Sequence, residues 1–247
     1  MVNRIVACLD IMGNYVYKGV SFENMKLIGD ARSIAYKYYL DYADELVILN
    51  INKSSISSLI NLLRDISRMV FIPITFGGNI RTYKDIELLL NNGADRVCLN
   101  STLYYNNDIL SYISNRYGKQ CIVGSIDVSN NSGLWYVYFD GGKKKTNIQL
   151  SDWISLNESR GIGEILLTSI DRDGTGHGYD INLINYASKI SNVPIIASGG
   201  VGGLKDIESL FKNTNVKAAL VASYLHRGNI TVRDIKRKLS GSYYVRL

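Results

Sequence analysis

An α/β chain closing as a (β/α)8 TIM barrel, with a two-fold half-barrel repeat, is the architecture expected of these 247 residues. Three features point to it. Short apolar runs rich in Val, Ile and Leu recur without polar alternation, as in strands buried on both faces of a parallel sheet. Amphipathic stretches such as Lys84 to Leu90 and Leu204 to Lys212 separate them, and strand–helix alternation gives parallel βαβ units. The chain also repeats itself at a spacing of roughly 120 residues. Four such units per half, doubled, supply the eight of a closed barrel. A doubly wound open sheet would explain the alternation but not the duplication.

The expected strands, in order, are 4–10, 45–51, 72–77, 95–100, 121–127, 163–169, 193–198 and 217–223. The first, Ile5-Val6-Ala7-Cys8-Leu9-Asp10, is echoed by the fifth, Cys121-Ile122-Val123-Gly124-Ser125-Ile126-Asp127. The second, Glu45-Leu46-Val47-Ile48-Leu49, returns in the sixth as Glu164-Ile165-Leu166-Leu167-Thr168. The third and seventh open on the only two prolines, Pro73 and Pro194, and end in the pairs Gly77-Gly78 and Gly199-Gly200. Behind each pair stands one tetrapeptide, Lys84-Asp85-Ile86-Glu87 or Lys205-Asp206-Ile207-Glu208. The fourth and eighth strands lead to Asn100-Ser101 and to Ala222-Ser223. Trp135 to Phe139, turning at Asp140-Gly141-Gly142, reads as a small hairpin inserted after the fifth strand. The expectation is one domain, residues 1–247, with halves of about 1–120 and 121–247.

An apolar content of 46% over this length supports one large core without a second domain. No linker, low-complexity tract, signal peptide or apolar run near 18 residues stands out, so a cytoplasmic protein with no membrane association is expected. Cys8, Cys98 and Cys121 fall inside expected strands, and an odd number of buried thiols suits a reducing compartment. The two histidines, His177 and His226, lie far from those cysteines, so neither a metal site nor a catalytic thiol, and no cofactor, is expected. The net charge is +6, but the basic residues are dispersed, and the run Lys143-Lys144-Lys145 closes the hairpin as a solvated face. Nucleic-acid binding is not inferred.

Active sites of this fold gather where strands end. Asp10 and Asp127 both end strands, half a barrel apart. A lone aspartate there more often caps a loop or pairs with a lysine. Two related by the repeat can divide general-acid and general-base work, provided their surroundings split their pKa values. A glycine pair alone is usually a plain turn. A glycine-rich turn entering a helix nevertheless presents bare N–H groups that hold phosphate. Gly77-Gly78 with Asn100-Ser101, and Gly199-Gly200 with Ser223, together suggest a ligand carrying two phosphates. At the opposite end, Arg4, Glu45, Arg96 and Glu164 lie at or near strand starts, with Arg4 on the inward face beside Val6 and Cys8. Their charges sum to zero, and on physics alone they read as a structural salt-bridge ring plugging the barrel floor.

Arg4 to Asp10, Lys18-Gly19 with Phe22-Glu23-Asn24, and Gly163 to Thr175 around Asp171-Arg172-Asp173-Gly174 resemble the cyclase subunit of imidazole glycerol phosphate synthase. The resemblance covers Arg4 to about Val232. It implies a histidine-biosynthesis enzyme whose partner, a glutaminase subunit docked on the N-terminal face of the barrel, releases ammonia into the barrel interior. Ammonia then attacks a bisphosphorylated formimino-ribulosyl nucleotide, giving imidazole glycerol phosphate and an aminoimidazole carboxamide ribotide. By resemblance Asp10 and Asp127 are the acid/base pair and Lys18 sits on the mobile loop that closes over substrate. One phosphate falls to Asn79, Asn100 and Ser101, beside Gly78. The other falls to Asp173, Gly174, Gly200, Ala222 and Ser223, beside Gly199, and Thr168 joins the substrate contacts. Arg4, Glu45, Arg96 and Glu164 match the family's ammonia gate.

Some positions depart from that pattern. Asn50 stands where the family usually has an aspartate, and Asn52-Lys53-Ser54-Ser55 behind it lacks the usual residues. Asn79 replaces the third glycine of a Gly-Gly-Gly turn, and Arg96 replaces a lysine with a bulkier group that is never deprotonated. Such departures suit a paralogue that supplies ammonia to a sugar amidotransferase in surface-polysaccharide synthesis, although those relatives often lack the aspartate equivalent to Asp10. A third reading is the sister isomerase of the same pathway. It needs no ammonia, so the charged quartet counts against it.

Overall fold

Every expected strand forms, each beginning within about two residues of the anticipated start, and the fold is the (β/α)8 barrel. The computed structural model describes residues 2–20, 23–106, 108–228 and 230–246. Phe22, part of the motif quoted above, lies outside the described residues. The elements open with β1 (Arg4–Met12), β2 (Tyr15–Val20), β3 (Glu23–Asp30), α1 (Ala31–Leu40), β4 (Glu45–Asn50), α2 (Ile56–Met69), β5 (Ile74–Gly77) and α3 (Tyr83–Leu90). Next come β6 (Arg96–Leu99), α4 (Ser101–Tyr105), α5 (Ile109–Tyr117), β7 (Ile122–Asn131), β8 (Leu134–Phe139), β9 (Lys144–Gln149) and α6 (Leu150–Arg160). The chain finishes with β10 (Glu164–Ser169), α7 (Ile181–Ile190), β11 (Ile195–Ser198), α8 (Leu204–Asn213), β12 (Ala218–Val221), α9 (Ser223–His226) and α10 (Val232–Leu239).

Two compact units share these elements: Met1–Val97 with Ala218–Leu247, and Cys98–Lys217. In the first, parallel strands run in the order β12-β1-β4-β5, and β2 and β3 form an antiparallel hairpin on the end of β1. In the second, β7, β10 and β11 pair in parallel, and β8 and β9 continue antiparallel from β7. Leu46, Val47 and Ile48 of β4 are fully buried, as are Ile165 of β10 and Ile196 of β11, which is why these strands carry no polar alternation. Helices cover them with apolar stripes, as in α2, where Leu59, Ile60, Leu62, Leu63 and Ile66 are buried at helical spacing.

The repeated tetrapeptide has a local cause. Asp85 accepts the backbone N–H groups of Arg81 and Thr82, and Asp206 those of Gly202 and Gly203, at 2.8–3.0 Å. Each aspartate therefore satisfies orphan donors at the start of its helix. Ile86 and Ile207, one residue on, are wholly buried. Strand starts repeat too: Asp44 accepts the Ile5 N–H and Asp95 the Ile74 N–H, while the Pro73 and Pro194 carbonyls accept from Leu46 and Ile165.

Four local expectations change. The hairpin of β2 and β3 is not foreshadowed by the sequence pattern, because bulges between Val16 and Tyr17 and between Lys18 and Val20 break the two-residue period. Lys18, expected on a loop, lies in β2. Cys121 belongs to a short 3-10 turn, Lys119–Cys121, rather than to a strand, though it is still buried. Lys144 is not simply solvated: its ammonium donates to the Tyr105 hydroxyl at 2.8 Å and lies over the Tyr104 and Tyr105 rings.

Candidate active site

Asp10 and Asp127 hold equivalent places. Each sits near the end of a buried parallel strand that runs on into an antiparallel hairpin. Asp10 is in register with Leu49 of β4 and Tyr17 of β2, and Asp127 with Thr168 of β10 and Tyr138 of β8. Both are buried, at 4% and 8% exposure, so both side chains meet protein groups rather than bulk water.

Their surroundings differ. The Lys18 ammonium donates to Asp10 Oδ2 at 2.8 Å, and the Cys8 thiol lies 3.7 Å from Oδ1. Asp127 has a carboxylate neighbour, Asp173, in place of a cation. Burial, reinforced by Asp173, pushes Asp127 up to about 7, against the opposing pull of hydrogen bonds from Thr168 and Asn100. The Asn100 amide donates to Asp127 Oδ2 at 3.2 Å and to the Ser125 carbonyl at 3.1 Å.

The glycine turns repeat with a one-residue correction. Gly78 and Gly199, at φ 87° and 92°, pack so closely that a Cβ would strike the carbonyl oxygens of Asn50 and Ser169, the last residues of β4 and β10. Asn79 and Gly200 follow, also in the left-handed region, at φ 57° and 101°. The equivalent pairs are therefore Gly78-Asn79 and Gly199-Gly200, and asparagine is among the few side chains that tolerate this backbone. The Asn79 amide is committed to the Lys53 and Ser54 carbonyls at 2.8 and 3.0 Å, and its oxygen accepts from Arg81. Asn50, which also donates to the Ser54 carbonyl, helps hold the departed Asn52 to Ser55 loop against this turn.

Asp173 and Gly174 lie in the turn after β10, with the Asp173 N–H bonded to the Ser169 carbonyl. Ala222 and Ser223 open α9 after β12. Of the charged quartet, Glu45 is 1% exposed and accepts from Arg4 at 3.3 Å, from Arg96 and from the Thr75 hydroxyl at 2.7 Å. Glu164 is buried at the first position of β10.

One pair near Asp10 escaped the sequence. Tyr38 of α1 and His226 of α9 approach to 2.6 Å between the hydroxyl and Nδ1, with rings stacked at 5.9 Å. His226 bonds the Cys8 backbone and senses Asp10 and Lys18, so a histidine far from every cysteine in sequence meets one in the fold. Burial lowers it to about 4, so it is neutral near pH 7. No periodicity links residues so far apart.

Residues 4–231 match the family model described as histidine biosynthesis protein. The chain belongs to that family. It is 42% identical over 242 residues to imidazole glycerol phosphate synthase subunit HisF of Dictyoglomus turgidum, covering 97% of this chain and 96% of the relative. The subunit of the same name from Prochlorococcus marinus is 43% identical over 238 residues, covering 94% and 93%. That from Streptococcus mutans is 38% identical over 239 residues, covering 96% and 95%. Among the described residues, no helix is long and apolar enough to cross a membrane.

Proposed function

We propose that this chain is the cyclase subunit of an imidazole glycerol phosphate synthase, joining ammonia to a bisphosphorylated formimino-ribulosyl nucleotide. The products are imidazole glycerol phosphate and an aminoimidazole carboxamide ribotide. The observation that carries the reading is two strand-end carboxylates in equivalent registers but unlike surroundings. Adding ammonia to a carbonyl and closing an imidazole ring require protons taken from nitrogen and given to departing groups. Asp127, held up to about 7, carries a proton to give near neutrality. Asp10, ion-paired with Lys18, is the acceptor. The turns at Gly78-Asn79 and Gly199-Gly200, with Asn100, Ser101, Thr168, Asp173, Gly174, Ala222 and Ser223, are the proposed substrate and phosphate contacts.

The subunit naming of the relatives supports a partner. We place a glutaminase on the face where strands begin. Leu40 and Tyr42 precede β4 and Phe71 precedes β5, and all three are exposed, Phe71 by 76%. Arg4, Glu45, Arg96 and Glu164 are the proposed ammonia gate on that face. The departures at Asn50 and Asn79 favour a second reading, the ammonia-conducting paralogue, but retention of Asp10 speaks for cyclisation. Purified protein incubated with excess ammonium and the bisphosphorylated nucleotide should release both products. Failure with ammonium, and again with a glutaminase partner and glutamine, rejects the cyclase.

A further inference from the structure

The turn between β8 and β9 brings a carboxylate onto one of the proposed phosphate contacts. Asp140, at φ 55°, donates its backbone N–H to Ser101 Oγ at 3.0 Å. The same hydroxyl lies 3.3 Å from Asp140 Oδ1 and 3.2 Å from Asn100 Oδ1, two acceptors for one proton. The Asn100 amide is meanwhile engaged by Asp127 and the Ser125 carbonyl. Packing fixes the turn in place. Phe139, next to Asp140, packs tilted against Tyr104 at 4.7 Å and edge-on against Trp153 at 5.4 Å between ring centres. On the other side of the turn Lys144 is held by Tyr104 and Tyr105 of α4, the helix that begins with Ser101. The side-chain donor that would greet a phosphate is therefore shared between the Asn100 amide oxygen and a carboxylate, a group of the same charge sign as phosphate.

We propose that Asp140 is a specificity-determining residue, a carboxylate latch that occupies the Ser101 hydroxyl and sets how strongly an anionic group binds there. The proposal rests on the reading of Ser101 as a phosphate contact. A phosphate reaching Ser101 has to displace Oδ1 and then tolerate a like charge nearby, which disfavours dianions more than singly charged or neutral groups. Lys144 is the cation beside the turn that receives the displaced carboxylate.

Asp140→Asn removes the charge while keeping the shape and the tolerance of left-handed backbone, and Asp140→Gly removes both the charge and the strain. Isotope-labelled protein titrated with inorganic phosphate, followed at the Ser101 amide, reads affinity at this position. Both variants should bind phosphate about 5- to 10-fold more tightly than the parent chain. Ser101→Ala should erase the gain that Asp140→Asn brings. In the cyclase assay with ammonium, KM for the nucleotide should fall by a similar factor with kcat unchanged. Equal or weaker phosphate affinity in both variants, or no response at Ser101 in any of them, overturns the latch. Tighter phosphate binding in a protein that never turns over the nucleotide would uphold the latch and reject the cyclase.

Discussion

As the proposed acid, Asp127 would link catalysis to stability. Its folded pKa of about 7 lies above the ordinary carboxylate value near 4, so the fold penalises the ionised form. That penalty is fully present above pH 7 and vanishes as pH falls below the unfolded value. Asp127→Asn should therefore be more stable than the parent chain at pH 8, by on the order of 4 kcal/mol, with the difference closing toward pH 4. Urea unfolding at the two pH values measures it. Turnover with ammonium should fall about 10²-fold or more in the same variant. In the parent chain, kcat should decline as pH rises past about 7 and the proton leaves Asp127. A variant equally stable relative to the parent at both pH values would show that the carboxylate ionises without cost. Strand-end position and duplication make both aspartates legible in the sequence alone. What separates them is not legible there, because Lys18 and Asp173 arrive from other elements and no spacing rule ties them to their partners. Tyr38 and His226 are hidden for the same reason.

At the scale of elements, apolar runs locate the strands because both faces are buried, and the capping aspartates locate α3 and α8. The hairpin of β2 and β3 stays hidden, since bulges and polar residues such as Lys18 and Lys26 give it no clean period. α10 closes the first unit through a buried ion pair that its charged sequence does not advertise. Lys236 is 1% exposed and donates to Asp44 Oδ1 at 2.7 Å, while Asp44 Oδ2 takes the Ile5 N–H at 2.7 Å. The pair ties the last helix to the starts of β1 and β4. Lys236→Met fits the same space but strands the Asp44 charge, and should cost about 3 kcal/mol in urea unfolding. Adding Asp44→Asn should restore much of that loss, because the cost is an uncompensated charge rather than lost packing. A double variant as unstable as the sum of the two singles would refute that account.

For the whole molecule, the proposed ammonia gate of Arg4, Glu45, Arg96 and Glu164 has to be told apart from a structural plug. Glu45 meets Arg4 and Arg96 through one carboxylate oxygen, and the Thr75 hydroxyl donates to the other. With Glu164, the fourth member of the proposed gate, the formal charges of the four residues sum to zero, as a narrow, dry path for neutral ammonia would require. Glu164→Gln gives the four residues a formal charge of +1 with little change of shape. If the quartet gates ammonia, activity driven by glutamine through the partner should change sharply. Activity with free ammonium, which would not need that gate, should change little. Arg96→Lys separates charge from bulk: it keeps the cation but gives up the planar fork, and should shift the ratio of glutamine-driven to ammonium-driven turnover without altering ammonium-driven kcat. Parallel losses by both routes, tracking a fall in urea stability, would make the quartet a structural plug and bring the sister isomerase back into contention. Unchanged rates by both routes would remove it from ammonia transfer altogether.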